Sequence, residues 1–98
     1  MNYIRSTDGR SVTVELIGEV DAANVPEIEE RLLKELEGTN ELIFDLKKLE
    51  YISSAGLRVL LQMQKLMKAQ GEMFIKNASD EIMEIFRVTG FVRLLSIK

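Results

Sequence analysis

The chain has no cysteine and no histidine among its 98 residues, and each absence closes off chemistry. Without cysteine there is no disulfide and no thiolate nucleophile, a composition that suits a reducing compartment. Without histidine a Ser-His-Asp system cannot be assembled, and a transition-metal site has only carboxylates to draw on. No catalytic residue, metal ligand or cofactor is therefore assigned. Clustered cations are missing too: the formal net charge is −3 and no basic block appears, which argues against a nucleic-acid groove. No apolar run approaches the roughly 20 residues of a membrane span. Met1-Asn2-Tyr3-Ile4-Arg5 lacks a signal-peptide layout. A cytoplasmic protein is expected, and a monomer, since nothing demands an oligomer.

What is present is an ordinary globular composition, 46% hydrophobic and 30% charged with a single proline. The length fits one domain, residues 1–98, burying about 65% of the surface its unfolded form would expose. Residues 2–6 are expected to form a strand, Asp8-Gly9 is a hairpin signal, and Val12, Val14 and Leu16 alternate with Thr13, Glu15 and Ile17. Gly18 is expected to break that strand. Asn24 reads as a helix N-cap with Glu27 as its capping-box partner and Pro26 in the first turn. Val25, Ile28, Leu32, Leu33 and Leu36 then share one helix face, and the helix ends near Gly38. Leu42, Ile43, Phe44 and Leu46 have the look of a strand buried on both faces of a parallel sheet.

A second helix carrying Val59, Leu60, Met63, Leu66 and Met67 is predicted to run to about Gln70, with Gly71 as its stop. Met73, Phe74 and Ile75 make a further strand. Ser79 caps a third helix with Asp80 and Glu81 in its first turn, Ile82, Ile85 and Phe86 toward the core, and Gly90 at its end. Leu94 to Ile97 closes the chain as a short strand or tail. The order predicts an α/β fold: a mostly parallel four- to five-stranded sheet opened by a β-hairpin, with three to four helices mainly on one face. Met63, Met67, Met73 and Met83 are read as core filler, and the acidic helix surface of Glu27, Glu29, Glu30, Glu35 and Glu37 as a solvated face.

The functional signal is Tyr51-Ile52-Ser53-Ser54-Ala55-Gly56-Leu57-Arg58, which sets two hydroxyls on a strand-to-helix turn. The first N–H groups of a helix lack partners and its dipole is positive there, so the turn suits a phosphate. A serine at that point is also an ordinary N-cap, and the two roles are compatible. Asp21 is either a turn residue or a partner contact, and Asn24 a cap before it is a contact.

Three segments carry a resemblance to a known family: Gly18-Glu19-Val20-Asp21, Leu49 through Leu57, and Ile85-Phe86-Arg87-Val88-Thr89-Gly90-Phe91. With them the chain resembles the STAS domain, and within that family the small single-domain anti-sigma factor antagonists of bacteria. The resemblance implies partner switching. The unmodified protein binds an anti-sigma factor of the GHKL serine kinase type and frees a sigma factor, and phosphorylation by that kinase reverses the binding. By position the acceptor is Ser54, with Ser53 as runner-up. The family often has Asp where this chain has Ser53, and Ser or Thr where it has Ala55. The implied contact surface is Asp21, Asn24, Ser53, Ser54, Ala55, Gly56, Leu57 and Arg58, with Gly56 admitting a partner backbone and Arg58 pointing outward. Two other roles of such domains stay open on the sequence: an accessory subunit regulating a membrane transporter, and a small-ligand sensor.

Overall fold

A computed structural model describes residues 3–98, so the Asn2 end of the expected first strand lies outside the described residues. The chain opens with the hairpin β1 (Tyr3–Asp8) and β2 (Ser11–Leu16), followed by β3 (Gly18–Val20) and α1 (Val25–Glu35). Then come β4 (Glu41–Asp45), β5 (Leu49–Ile52), α2 (Ser54–Met67), β6 (Glu72–Lys76), α3 (Asp80–Thr89) and a 3₁₀ turn at Phe91–Arg93. Strands β1-β2-β4-β6 form one sheet, antiparallel only at the hairpin, and β3 pairs with β5 in a parallel sheet of two.

The alternation in β2, β4 and β6 places Val12, Val14, Leu16, Leu42, Phe44, Met73 and Ile75 on one face, where all are buried. They pack with Ile28 and Leu32 of α1, Leu57, Leu60 and Met63 of α2, and Ile82 and Phe86 of α3 in one apolar cluster. Burial of each large side chain contributes about 1.5–3 kcal/mol. Since the helices sit on that face, the opposite face stays half-buried at best. Ile43 is only partly covered, and β4 is not buried on both sides as its apolar run suggests. The same one-sidedness corrects two helix positions. Leu33 is 44% and Leu66 41% exposed, because each lies about 100° around its helix from a fully buried neighbour, Leu32 and Met67.

Gly18 breaks the strand as expected, β2 ending at Leu16, but a further strand, β3, begins at once. The Gly18 backbone takes φ +74°, a left-handed conformation that glycine adopts freely, and swings the chain from the β4 side onto β5. The second sheet exists because of that jog. α2 stops at Met67 rather than Gln70, because the backbone beyond it tightens: the Ala69 and Gln70 N–H groups donate three residues back, to Leu66 at 3.3 Å and Met67 at 3.0 Å, while the Gln70 carboxamide donates to the Thr39 carbonyl at 2.8 Å and to that of Leu36. The C-terminal segment forms the 3₁₀ turn and then a single parallel bridge, Ile97 beside Ile75, in place of a strand. At the hairpin, Tyr3 is buried with its hydroxyl unpartnered. Burial pushes its phenol pKa upward, Glu35 adds to the effect, and the Arg31 guanidinium lies 5.6 Å from the ring centre.

Gly71 shows how closely the α2–β6 connection passes the α1–β4 loop. A Cβ there would stand 1.8 Å from the Asn40 carbonyl oxygen, while the Glu72 N–H donates to that same oxygen at 2.9 Å. Backbone cannot yield as a side chain does, so Gly71→Ala is expected to lower the unfolding free energy by about 2–4 kcal/mol, read from urea denaturation.

Candidate functional site

Parallel pairing of β3 with β5 brings Val20 and Ile52 abreast, so the two strands end together. Ligand and partner contacts cluster at such carboxyl ends. The Ser53 N–H donates to the Val20 carbonyl at 2.8 Å, carrying the ladder one residue past Ile52 before the chain turns into α2. The loop after β3 is fixed beside it by the Asn24 side chain, whose Oδ1 accepts from the Asp21 N–H at 2.9 Å and whose Nδ2 donates to the Glu19 carbonyl at 2.8 Å. Asp21 adds a turn of its own, its Oδ1 accepting from the Ala23 N–H at 3.0 Å and its carbonyl from the Val25 N–H at 2.9 Å. Asn24 holds the N-cap position of α1, its carbonyl accepting from the Ile28 N–H at 3.1 Å, but its side chain braces the loop instead of capping, and the expected capping box with Glu27 is not formed.

The two hydroxyls are unequal. Ser53 takes extended backbone angles (φ −84°, ψ 173°), its Oγ accepts from the Gly56 N–H at 3.3 Å, and its carbonyl accepts from the Leu57 N–H at 2.9 Å. It is the N-cap. Ser54 is the first residue of the helix, exposed, with its hydroxyl outside that cap. α2 has no acidic residue in its first turn, so nothing there offsets the positive end of its dipole. Ala55 is half-buried and Arg58 exposed.

Gly56 and Leu57 do not face outward. A Cβ on Gly56 would lie 2.7 Å from Ile52 Cγ1 and 2.8 Å from Val20 Cγ1, so this glycine lets α2 settle on β3 and β5 rather than admitting a partner backbone. Leu57 is 2% exposed and belongs to the core. The outward surface at the turn is therefore Ser54, Ala55 and Arg58, with Asp21 and Asn24 half-buried in the adjoining loop. Sequence patterning passes over Tyr51, which β5 leaves 48% exposed beside the turn and opposite Glu19. Its signal is weak because β5 has two adjacent exposed residues and no alternation. Among the described residues no cluster of acidic side chains fit to hold a metal ion is present, and no helix is long and apolar enough to cross a membrane.

The STAS domain family model matches residues 3–98. The chain belongs to the STAS domain family. Two bacterial relatives illustrate the likeness. BtrV of Bordetella bronchiseptica, named as an anti-sigma factor antagonist, is 36% identical over 84 residues, covering 84% of this chain and 72% of BtrV. The anti-sigma-B factor antagonist of Staphylococcus aureus is 29% identical over 99 residues, 99% of this chain and 92% of that protein. The anti-sigma factor antagonist SpoIIAA in its unphosphorylated form shares the fold, with TM-score 0.83 at 19% identity over 98% of this chain and 87% of that one. Bacillus SpoIIAA in the phosphorylated form superposes with TM-score 0.76 at 18% identity over 98% and 90% of the two chains. The STAS turn of this chain is thus built from a capping Ser53, an exposed Ser54 and a glycine that seats the helix.

That division of labour is open to measurement. Ser53→Ala is expected to cost about 1 kcal/mol of stability through loss of the cap, and Ser54→Ala to stay within about 0.5 kcal/mol of wild type. Equal effects in chemical denaturation would refute separate roles.

Proposed function

We propose that this protein is an anti-sigma factor antagonist whose unmodified form binds an anti-sigma factor of the GHKL serine kinase type, and that phosphorylation of Ser54 ends that binding. It acts in the cytoplasm, as a monomer, by partner switching: capture of the anti-sigma factor frees a sigma factor. The observation that carries the reading is the exposed Ser54 hydroxyl on the first residue of α2, next to a Ser53 hydroxyl already engaged as the cap. A kinase needs a hydroxyl it can reach, and of the two this is the one left outside the cap. The names of the relatives support the choice of partner.

The energetics follow from charge. A phosphoserine carries about −1.5 to −2 charges at neutral pH. At the first residue of a helix that charge meets the dipole favourably, so the fold tolerates it. At an interface the same group must be desolvated. Each tenfold loss of affinity requires only about 1.4 kcal/mol, and stripping water from a phosphate exceeds that easily. Phosphorylation therefore acts on the contact surface and leaves the fold intact. Asp and Ser are near-equal N-caps, so Ser53 in place of the family's frequent Asp keeps the helix start while removing a negative charge beside the acceptor.

The test is incubation with a candidate GHKL kinase and Mg-ATP, followed by mass spectrometry and partner titration. One phosphate is expected, on Ser54, and none on Ser54→Ala. Ser54→Asp is expected to bind the kinase at least about tenfold more weakly with an unchanged circular dichroism spectrum. Phosphate on Ser53 alone, or undiminished binding by Ser54→Asp, would overturn the proposal.

A further inference from the structure

α2 differs from the other helices in how its surface charge is balanced. On α1, Arg31 pairs with Glu27 at 3.1 Å and Lys34 approaches Glu30 at 3.8 Å; on α3, Arg87 pairs with Glu84 at 2.8 Å. The α2 sequence, SAGLRVLLQMQKLM, contains no acidic residue. Its exposed Arg58 and Lys65 enter no ion pair among the described residues. Lys68, also exposed, follows directly. A helix face bearing only cations is unexpected on a chain of net charge −3.

Apolar surface lies among these cations. Arg58, Leu61, Gln62, Lys65 and Leu66 line a shallow groove of about 440 Å³, and Leu66 is 41% exposed at its edge. Ser54, Arg58, Leu61 and Lys65 are spaced by four, three and four residues, so they form a single line along the helix. That line extends about 16 Å from the turn, the length of three turns of a facing helix.

We propose that this outer face of α2 is a docking surface for an acidic amphipathic helix of the anti-sigma factor partner, whose apolar side enters the groove while its carboxylates meet Arg58 and Lys65. The proposal rests on the functional reading above, and charge complementarity selects the occupant. Isolated surface cations cost nothing to leave solvated, but unpaired ones flanking the exposed Leu66 and the half-buried Leu61 fit a partner that is both acidic and apolar. The arrangement also extends the effect of the switch. A phosphate on Ser54 stands one turn from Arg58 and adds negative charge to the end of the stripe that an acidic helix needs to be positive.

The probe is the kinase that modifies Ser54, titrated by calorimetry against variants of the full chain whose folding is checked by circular dichroism. Lys65→Glu and Leu66→Asp change exposed side chains and are each expected to weaken binding by about tenfold or more. Arg10→Glu makes the same charge change as the lysine variant at the hairpin turn, off the line from Ser54 to Lys65, and is expected to stay within about twofold. Wild-type affinity is expected to fall as salt rises, and Lys65→Glu to flatten that dependence. Wild-type affinity in both groove variants, with Ser54→Asp still impaired, would overturn the docking surface and leave the functional reading standing. A wild-type chain that neither binds nor accepts phosphate would overturn both. A molecular mass that rises with concentration in light scattering and is restored to that of the monomer by Lys65→Glu would assign the face to a second copy, and so overturn the acidic-helix occupant.

Discussion

The hydrogen bond from the Ser53 N–H to the Val20 carbonyl is the join on which the rest of the site depends. It holds two segments far apart in sequence at one level, the braced loop after β3 and the start of α2. Immediately beyond it Gly56 removes the side chain that would hold the helix off Val20 and Ile52. With the helix seated, Ser53 caps it and Ser54 faces out as its first residue. Position follows from packing here: the hydroxyl is presented outward because the glycine two residues later is pressed inward.

Much of the main architecture can be read directly from residue pattern. Val12, Val14 and Leu16 alternate as a half-buried strand should, and Ser79 caps α3 with its Oγ accepting from the Ile82 N–H at 3.2 Å, as its place before Asp80 and Glu81 suggests. The second sheet is hidden because β3 and β5 are three and four residues long, too short for a period to show, and because a glycine in a strand signals a break more often than a change of sheet. Asn24 misleads for a related reason. Asparagine before a helix satisfies backbone groups either of the helix or of the loop, and only the tertiary path of Glu19 and Asp21 decides between them. At the site, the turn and its two serines are visible in sequence, whereas the inward orientation of Gly56 and Leu57 is not. Both lie on the face of α2 that β5 and β3 happen to cover.

Charge on this protein is arranged by element. α1 and α3 carry their cations three or four residues from a carboxylate, in surface pairs that contribute little to stability, and acids outnumber cations on both. α2 carries cations alone. The contrast separates helices that serve mainly as cover for the core from the one that also carries the candidate acceptor at its start, and it is written in the sequence once the helix boundaries are known.

The layering of the fold has a practical side. All the helices share one face of the main sheet, while the other presents partly covered rows such as Thr13, Ile43 and Phe74, with the Lys98 ammonium 4.3 Å from the centre of the Phe74 ring. The hairpin turn at Gly9 and Arg10 lies past the ends of the strands remote from Ser54. The hairpin turn and the Ser54 hydroxyl thus lie at opposite ends of the strands. A fluorophore or a surface tether joined at that turn therefore stands a full strand length from the exposed serine and its capped neighbour, held there by the sheet itself.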